Sequence, residues 1–252
     1  MTGFGVLLRK ELLEQWRTMR LPVVTAVFVL AGLTSPLLAR FTPEILELVG
    51  GDQFQIVLPP PTTADSYDQF AKNLGQFGIL VAVLLAMGIV ATEKERGTAG
   101  LILTKPAGRA AFLTSKLAAI GLTLGVATSL AALGAWFYTL VLFEPLPVGG
   151  FAASAVLQWL SLLVFAAITF VGSTLTRSAL AAAGLGVAAF ILVGILSIVP
   201  ALARFLPVGL GEPARRLALG QPDVDLVPAA AAIVVIAALL LVSWLAFRRQ
   251  EL

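Results

Sequence analysis

The sequence predicts an all-α polytopic membrane protein with six transmembrane helices. Of its 252 residues, 59% are hydrophobic and only 12% are charged, and the mean hydropathy is +0.97. A soluble domain of this length cannot bury so much apolar surface, so lipid must cover part of it. The chain also contains six apolar runs of the length that crosses a bilayer, about 20 residues. They cover residues 21–39, 74–92, 117–141, 152–175, 179–202 and 228–247.

The distribution of basic residues predicts that both termini are cytoplasmic. With the N-terminus inside, twelve of the 17 Lys and Arg residues fall on the cytoplasmic side and five on the opposite side. Cytoplasmic loops of membrane proteins carry this excess of positive charge. Residues 40–73 and 203–227 are then extracytoplasmic, and residues 93–116 form a cytoplasmic loop. We expect residues 1–252 to be one transmembrane domain in the cell membrane, with the first span retained and not cleaved as a signal peptide.

The composition disfavours several classes of function. The chain has no Cys and no His, which removes thiolate and imidazole metal ligands, haem ligation by either residue, and a Ser–His relay. The net charge is only +3 and no basic run is interleaved with aromatic residues, so we expect no nucleic-acid partner. Intramembrane enzymes and ion-coupled carriers rely on ionisable groups inside the bilayer. The spans offer only Lys116, at the start of the third, so a stand-alone intramembrane protein or secondary carrier is the weaker alternative.

Residues 4–20 are predicted to form an amphipathic helix. Apolar side chains recur every three or four residues along one face, namely Leu8, Leu12, Trp16 and Met19. Such a helix lies in the membrane interface, with its apolar stripe among acyl chains and its cations near lipid phosphates. Pro22 then marks the turn into the first span. A cytoplasmic extension of the first span is the alternative.

Both extracytoplasmic loops contain signals for short helices. A Thr-Pro-Glu sequence at 42–44 places Pro at a first helical position, which predicts a separate helix over residues 43–49. Asp65 is placed to cap a helix that runs into the second span. In the second loop, residues 212–220 predict another short helix. That helix lies on the surface or re-enters the membrane, or else belongs to a plain solvated loop.

The loop between the second and third spans is the most informative segment. Charged residues at 93–96 are followed by Gly97, a short apolar run and Pro106. A short apolar helix outside the bilayer is stable only when its apolar side chains pack against another surface. It packs either on this chain's own helix ends or in a groove on a soluble partner, and composition does not separate the two.

This loop resembles the cytoplasmic loop of the ABC-2 type permeases, the membrane subunits of ATP-binding cassette exporters. The shared pattern is Glu93-x-Glu95-Arg96-Gly97-Thr98, then Leu103-x-x-Pro106-x-x-Arg109, then Lys116. The Leu-Arg-Lys-Glu-Leu opening at 8–12, the three prolines at 59–61 and the closing Phe-Arg-Arg at 247–249 are similar to that family too. The resemblance therefore covers essentially the whole chain. It departs at 107–108, where Ala-Gly replaces the hydroxyl residue that often precedes the Arg.

The resemblance implies that the chain works with a separate cytoplasmic ATPase. Residues 4–20 would be the elbow helix, and residues around 98–105 a coupling helix seated in a cleft of the ATPase. Glu93, Glu95 and Arg96 would tie the coupling helix to the elbow helix. The coupling interface would comprise Glu93, Glu95, Arg96, Gly97, Thr98, Leu101, Ile102, Leu103, Thr104 and Lys105. ATP and Mg would bind to the ATPase, because this chain has no Gly-rich phosphate loop ending in Lys-Ser/Thr and needs no cofactor of its own.

The resemblance further implies an assembly of two permeases and two ATPases. Two small-residue patterns permit close helix contact, Gly121-x-x-x-Gly125 and Ala182-x-x-x-Gly186. They fit either a permease homodimer or packing within one chain. An interior with Ser, Thr and Gly but no charge suits a lipid, a hydrophobic drug or a peptide as cargo better than an ion.

Overall fold

The computed structural model of the protein describes residues 3–50, 59–98, 100 and 108–250. Within these residues the chain forms ten α-helices and no strands. The helices are α1 (Phe4–Arg17), α2 (Arg20–Gly50), α3 (Thr63–Met87), α4 (Ala91–Glu95), α5 (Arg109–Leu142), α6 (Val148–Leu175), α7 (Ala179–Leu196), α8 (Pro200–Ala203), α9 (Gly211–Ala218) and α10 (Val227–Arg248). A short 3-10 turn, Pro207–Leu210, lies between α8 and α9.

Six of these helices are long and apolar enough to cross a membrane: α2, α3, α5, α6, α7 and α10. The predicted all-helical fold with six membrane-spanning helices is therefore confirmed. Some boundaries differ from the apolar runs. The fifth span was expected to reach residue 202, but α7 ends at Leu196. Pro200 follows closely, and a proline disfavours helical backbone at the residue before it, here Val199, which is extended.

The first spanning helix is longer than the sequence predicts. The separate helix expected over residues 43–49 is wrong, because α2 runs without a break through Pro36 and Pro43. Ser35 and Thr42 stand directly before these prolines, and each donates its hydroxyl to the carbonyl four residues back at 2.5 Å. Hydroxyl side chains help a membrane helix to tolerate the backbone bonds that proline removes.

The second spanning helix starts from a capping box. The Thr62 hydroxyl accepts the backbone N–H of Asp65 at 3.4 Å, and the Asp65 carboxylate accepts the backbone N–H of Thr62 at 2.7 Å. These bonds satisfy two of the N–H groups that a helix start leaves without intrahelical partners. The predicted helix from this point into the second span is present, with Thr62 as the cap and Asp65 as its reciprocal partner.

α6 lies at the centre of the bundle. It packs against α3, α5, α7, α9 and α10, and its Phe165 and Phe170 side chains are fully buried. α2 packs mainly on α5 and α3. By contrast, α7 and α10 expose much of their apolar surface, including Leu180 and Val234. Exposed faces of this kind are covered by lipid or by another subunit.

α9 is the short helix that the sequence predicts in the second extracytoplasmic loop. Its Pro213, Ala214 and Ala218 are buried, because α9 packs along α6. Arg215 pairs with Asp68 of α3 at 2.8 Å, and this hydrogen bond raises the pKa of Arg215 above its ordinary value. The segment is thus packed on the protein and is not a plain solvated loop.

Close contact between α2 and α5 depends on Gly32, and this generates a first prediction. A Cβ on Gly32 would overlap the backbone carbonyl of Ala131, whereas a Cβ on Gly75 of α3 would meet open space. We expect Gly32→Ala to lower the free energy of unfolding by about 1–3 kcal/mol, since the backbone of α5 must move.

Gly75→Ala is the matched control, because it makes the same chemical change in another spanning helix without a clash. Its unfolding midpoint should equal or slightly exceed the wild-type value. Both midpoints are measured by tryptophan fluorescence in detergent. Equal midpoints for the two variants would contradict the close α2–α5 contact.

Candidate functional site

The N-terminal helix α1 packs against the first half of α5 through polar residues. Glu11 and Gln15 lie one turn apart on α1 and are 4% and 3% exposed. The amide oxygen of Gln15 accepts the hydroxyl of Thr123 on α5. Trp16 and Leu13 point outward and are exposed. α1 therefore turns polar groups toward the protein and apolar groups away from it, as expected for a helix with lipid on its outer side.

Lys116 of α5 is the buried centre of this region. Its side chain is 1% exposed, and its ammonium lies 2.9 Å from a carboxylate oxygen of Glu11 on α1 and 2.9 Å from one of Glu93 on α4. The same ammonium lies 4.9 Å from the centroid of the Phe112 ring. A buried charge costs several kcal/mol unless it is paired. The two carboxylates supply that pairing, and they join α1, α4 and α5 at one point.

Lys10 completes the group, which we name the charge cluster: Lys10, Glu11, Glu14, Glu93 and Lys116. The Lys10 ammonium lies 2.9–3.1 Å from carboxylate oxygens of all three glutamates. Burial lowers the pKa of Lys10, but the hydrogen bond to Glu93 and the charges of Glu11 and Glu93 outweigh it, so the pKa is raised. Burial raises the pKa of Glu14, but its hydrogen bond with Lys10 and the nearby cations lower it below the usual value.

The carboxylates of the charge cluster have a spacing that a metal ion could use. Single oxygens of Glu11, Glu14 and Glu93 lie within 4.8 Å of one another. The two lysine ammonium groups already contact these carboxylates at hydrogen-bond distance. Their positive charge neutralises the carboxylates and repels a cation. The arrangement fits a structural ion-pair network better than a metal centre.

Apart from Gly97 and Thr98, the coupling residues expected from the sequence divide into three groups. Glu93 contacts α1 through Lys10 and α5 through Lys116. Glu95 and Arg96 are exposed, and neither forms an ion pair with α1 within the described part of the chain. The third group lies outside the described residues and comprises Leu101, Ile102, Leu103, Thr104 and Lys105.

Gly97 and Thr98 end α4 and fix the direction in which the chain leaves it. Gly97 has φ +70°, a left-handed conformation that glycine adopts without strain, and its N–H donates to the Lys94 carbonyl at 3.2 Å. The Thr98 hydroxyl donates to the Glu93 carbonyl at 3.2 Å. Thr98, the last described residue before 99, is therefore held beside the backbone of Glu93.

Further polar contacts hold α4 against the end of α6, and α5 against the end of α10. The Ser173 hydroxyl oxygen of α6 accepts the backbone N–H groups of Val90 and Ala91 at 3.1 and 3.0 Å. Lys94 donates to the Thr174 carbonyl at 2.7 Å. Arg109, part of the shared pattern, donates to the Arg248 carbonyl at 2.6 Å. A cation here satisfies a free carbonyl at the C-terminus of α10 and interacts favourably with the helix dipole.

The apolar stripe predicted for α1 is only partly buried. Leu8 and Leu12 are half-buried, whereas Trp16 and Met19 are exposed. Leu8, Leu12 and Trp16 border a groove of about 580 Å³ between α1 and α5. The chain turns at Thr18–Met19, where Met19 has φ +60°, and not at Pro22. Pro22 lies in the first turn of α2, where a missing N–H costs no helical hydrogen bond. The interfacial position of α1 stays a prediction.

The two small-residue patterns pack within the chain. Gly121 and Gly125 of α5 lie against Trp159 of α6, whose indole N–H donates to the Gly121 carbonyl at 2.8 Å. Ala182 is fully buried, and a Cβ on Gly186 would meet Thr169 of α6. Of the two interpretations that the sequence left open, packing within one chain accounts for both patterns.

Sequence reasoning missed Glu11, Gln15 and the depth of Lys116. The available signal was the i, i+4 spacing of Glu11 and Gln15, which places both on one helical face. A second signal was Lys116 itself, since an ionisable residue near a span needs a partner. Neither signal shows which residues pair with each other. Lys116 and Glu11, for example, lie 105 residues apart in the sequence.

The charge cluster generates a second prediction. Lys116→Met leaves the carboxylates of Glu11 and Glu93 close together with one counter-charge fewer. We expect a loss of about 3–5 kcal/mol in the free energy of unfolding, the usual cost of removing one partner from a buried pair. Lys10→Met should cost less, because the Lys10 side chain is 40% exposed.

A double variant separates the pairing of charges from simple loss of packing. Adding Glu11→Gln to Lys116→Met removes the repulsion between the carboxylates, so the double variant should unfold at a higher temperature than Lys116→Met alone. If the stability lost in the double variant equals the sum of the losses in Lys116→Met and Glu11→Gln, a charge-pairing role for Lys116 is contradicted.

Comparison with known proteins agrees with this architecture. Residues 6–252 match the model of the family described as ABC-2 family transporter protein. The chain is also 30% identical over 224 residues to YxlG, an uncharacterised transmembrane protein of Bacillus subtilis (strain 168), and the match covers 87% of this chain and 86% of that protein. With six helices long and apolar enough to cross a membrane, the chain is a multi-pass membrane protein. It belongs to the ABC-2 transporter family, as a membrane subunit of a transporter.

Proposed function

We propose that this chain is the permease of an ABC exporter and that a separate cytoplasmic ATPase drives it. Membership of the ABC-2 family implies an ATPase partner in general. The chain itself lacks a Gly-x-x-x-x-Gly-Lys-Ser/Thr phosphate loop, the element that cradles nucleotide phosphates. ATP and Mg therefore bind to the partner, and this subunit supplies the path through the membrane. Both termini and the 93–116 loop face the ATPase in the cytoplasm.

The observation that carries the proposal is the position of the charge cluster. Glu93 lies at the exit to residues 99–107, the proposed coupling segment, and it pairs with Lys10 of α1 and Lys116 of α5 at 2.9 Å. A displacement of the coupling segment by the ATPase would pull on Glu93. Because the ion pairs are short and largely buried, that displacement would move α1 and α5 together. Interactions of this kind transmit motion when the connected elements have two alternative arrangements.

A pair of permeases is the working unit in this proposal. The small-residue patterns are used within the chain, so the dimer contact must lie elsewhere. α7 and α10 have the smallest buried share of the candidate spans, with Leu180, Ile195 and Val234 among their exposed side chains. A second permease packing on such a face would form a translocation path between the two copies. Away from the charge cluster, the buried polar side chains of the described spans are Ser, Thr and Asn, and such an interior suits an apolar or amphipathic cargo.

The third prediction tests coupling through the 98–105 segment. Leu101→Asp places a carboxylate on the apolar side of the proposed coupling helix, where it would be desolvated in the ATPase cleft. A cognate ABC ATPase, sought among those encoded near the permease gene, is co-expressed with each variant. We expect Leu101→Asp to reduce co-purification of the ATPase about tenfold or more.

Ser178→Asp is the matched control, because it adds a carboxylate at the turn between α6 and α7, which lies on the cytoplasmic side when the N-terminus is inside. Ser178 caps the backbone N–H of Ala181, and Asp is an equally good cap. Co-purification and ATP hydrolysis should match the wild type. If no ATPase co-purifies with the wild type, or if both variants behave alike, the coupling proposal fails and the ion-coupled carrier becomes the candidate to test.

A further inference from the structure

A polar cavity of about 340 Å³ lies beside the charge cluster. Its walls come from α1, the start of α2, α4 with the turns on either side of it, and the first half of α5. Gln15, Arg20, Glu93 and Arg96 are among the side chains that line it. Its volume is at the lower end of the range for small-molecule sites, roughly 300–1,000 Å³.

Two side chains that line this cavity each have one buried polar atom without a hydrogen-bond partner among the described residues. These atoms are Nε2 of Gln15 and Oε2 of Glu93. Gln15 is 3% exposed, and its amide oxygen is already used by Thr123. Oε1 of Glu93 is used by Lys116 and Lys10. One buried donor and one buried acceptor remain, and leaving each unpaired costs about 1–3 kcal/mol. A ligand that carries both an acceptor and a donor would satisfy the two atoms together.

The charges of the cavity favour an anionic group near the two arginines. The three glutamates of the charge cluster are all paired with Lys10 and Lys116. Arg20 and Arg96 form no ion pair within the described ranges, so four cations face three carboxylates. Guanidinium groups match the geometry of phosphate oxygens and bind them in a bidentate manner.

The cavity lies at the depth of lipid head groups. Arg20 is the first residue of the first candidate span, and Glu93 lies within the last turn of the second. Beside it, Trp16 and Met19 are exposed at the end of α1. Aromatic and basic side chains concentrate at this level of a membrane protein, where head groups and acyl chains meet. A phospholipid is therefore the phosphate-bearing molecule with direct access.

We propose that this cavity binds the head group of a phospholipid that carries both a phosphate and a primary ammonium, the phosphoethanolamine class. The phosphate accepts hydrogen bonds from Gln15, Arg20 and Arg96, and the ammonium donates to the free oxygen of Glu93. A choline head group has the phosphate but no N–H to donate. A glycerol head group has hydroxyl donors but no charge to pair with the carboxylate. The site requires no ATPase, so it is independent of the coupling proposal.

The test compares lipids with identical acyl chains on the delipidated, purified full chain. Phosphatidylethanolamine, phosphatidylcholine and phosphatidylglycerol are added in equal amounts, and native mass spectrometry counts the lipid retained. We expect phosphatidylethanolamine to be retained about tenfold over phosphatidylcholine, the effect of one charged hydrogen bond. Equal retention of the two, or preferential retention of phosphatidylglycerol, overturns the proposal.

Two variants locate the binding. Gln15→Glu keeps the oxygen that Thr123 needs and replaces the donor nitrogen with an oxygen that repels phosphate. Arg20→Gln removes one guanidinium at an exposed position, so its folding is not at risk. Both should lose the preference for phosphatidylethanolamine. Arg17→Gln, an exposed arginine of α1 that does not line the cavity, should keep it. Retention of the preference in Arg20→Gln, or its loss in Arg17→Gln, would place the lipid elsewhere.

Soluble competitors separate a lipid head group from free phosphate. Phosphoethanolamine should displace the lipid at lower concentration than inorganic phosphate does, since only the former supplies the ammonium. Equal displacement by the two compounds would remove the role of Glu93 and overturn the proposal. If neither compound displaces the lipid, the acyl chains and not the head group account for its retention. That result would also overturn the proposal.

Discussion

The burial of the Lys116 ammonium between Glu11 and Glu93 is the constraint on which this end of the molecule depends. The chain brings three distant segments together to neutralise one cation: α1, α4 and the first half of α5. Because an unpaired charge at such a site is costly, the three segments have to meet. α1 is consequently part of the folded bundle, although it crosses no membrane. Gly97 and Thr98 end α4 beside Glu93, one of the two carboxylates that pair with Lys116.

Within the spans, the backbone and the hydroxyl side chains satisfy most polar groups locally. Thr169 and Thr174 donate to carbonyls of their own helix, as hydroxyl residues in membrane helices commonly do. Other pairs cross between helices, such as Ser66 with Thr139 at 2.7 Å and Asn73 with Ser35 at 2.9 Å. Lipid tails are as apolar as leucine, so packing and such hydrogen bonds, and not apolar burial, hold membrane helices together. Packing is tight between α2 and α5 at Gly32, where a Cβ would overlap the backbone of Ala131.

The division between central and peripheral helices follows from the same forces. α6 contacts six of the other described helices and buries most of its side chains. α7 and α10 contribute few buried residues and remain apolar on their outer faces. The polar contacts of Lys94 and Arg109 attach the ends of α6 and α10 to α4 and α5. α4 and the start of α5 are therefore linked to the central helix α6 and the peripheral helix α10 through backbone carbonyls at helix ends.

The sequence alone determined the all-helical class, the six spans and the family, because apolar runs of bilayer length and a local motif need no tertiary information. It also indicated α1, α9 and the helix that starts near Asp65, whose signals are local. The tertiary structure decided what long-range contacts control: α2 continues through Pro43, Gly121 and Gly186 pack within the chain, and α1 turns Glu11 toward the bundle. Periodicity identifies a helical face but not the surface that it meets. Only folding brings Glu11 to Lys116 and leaves Gln15 beside a cavity.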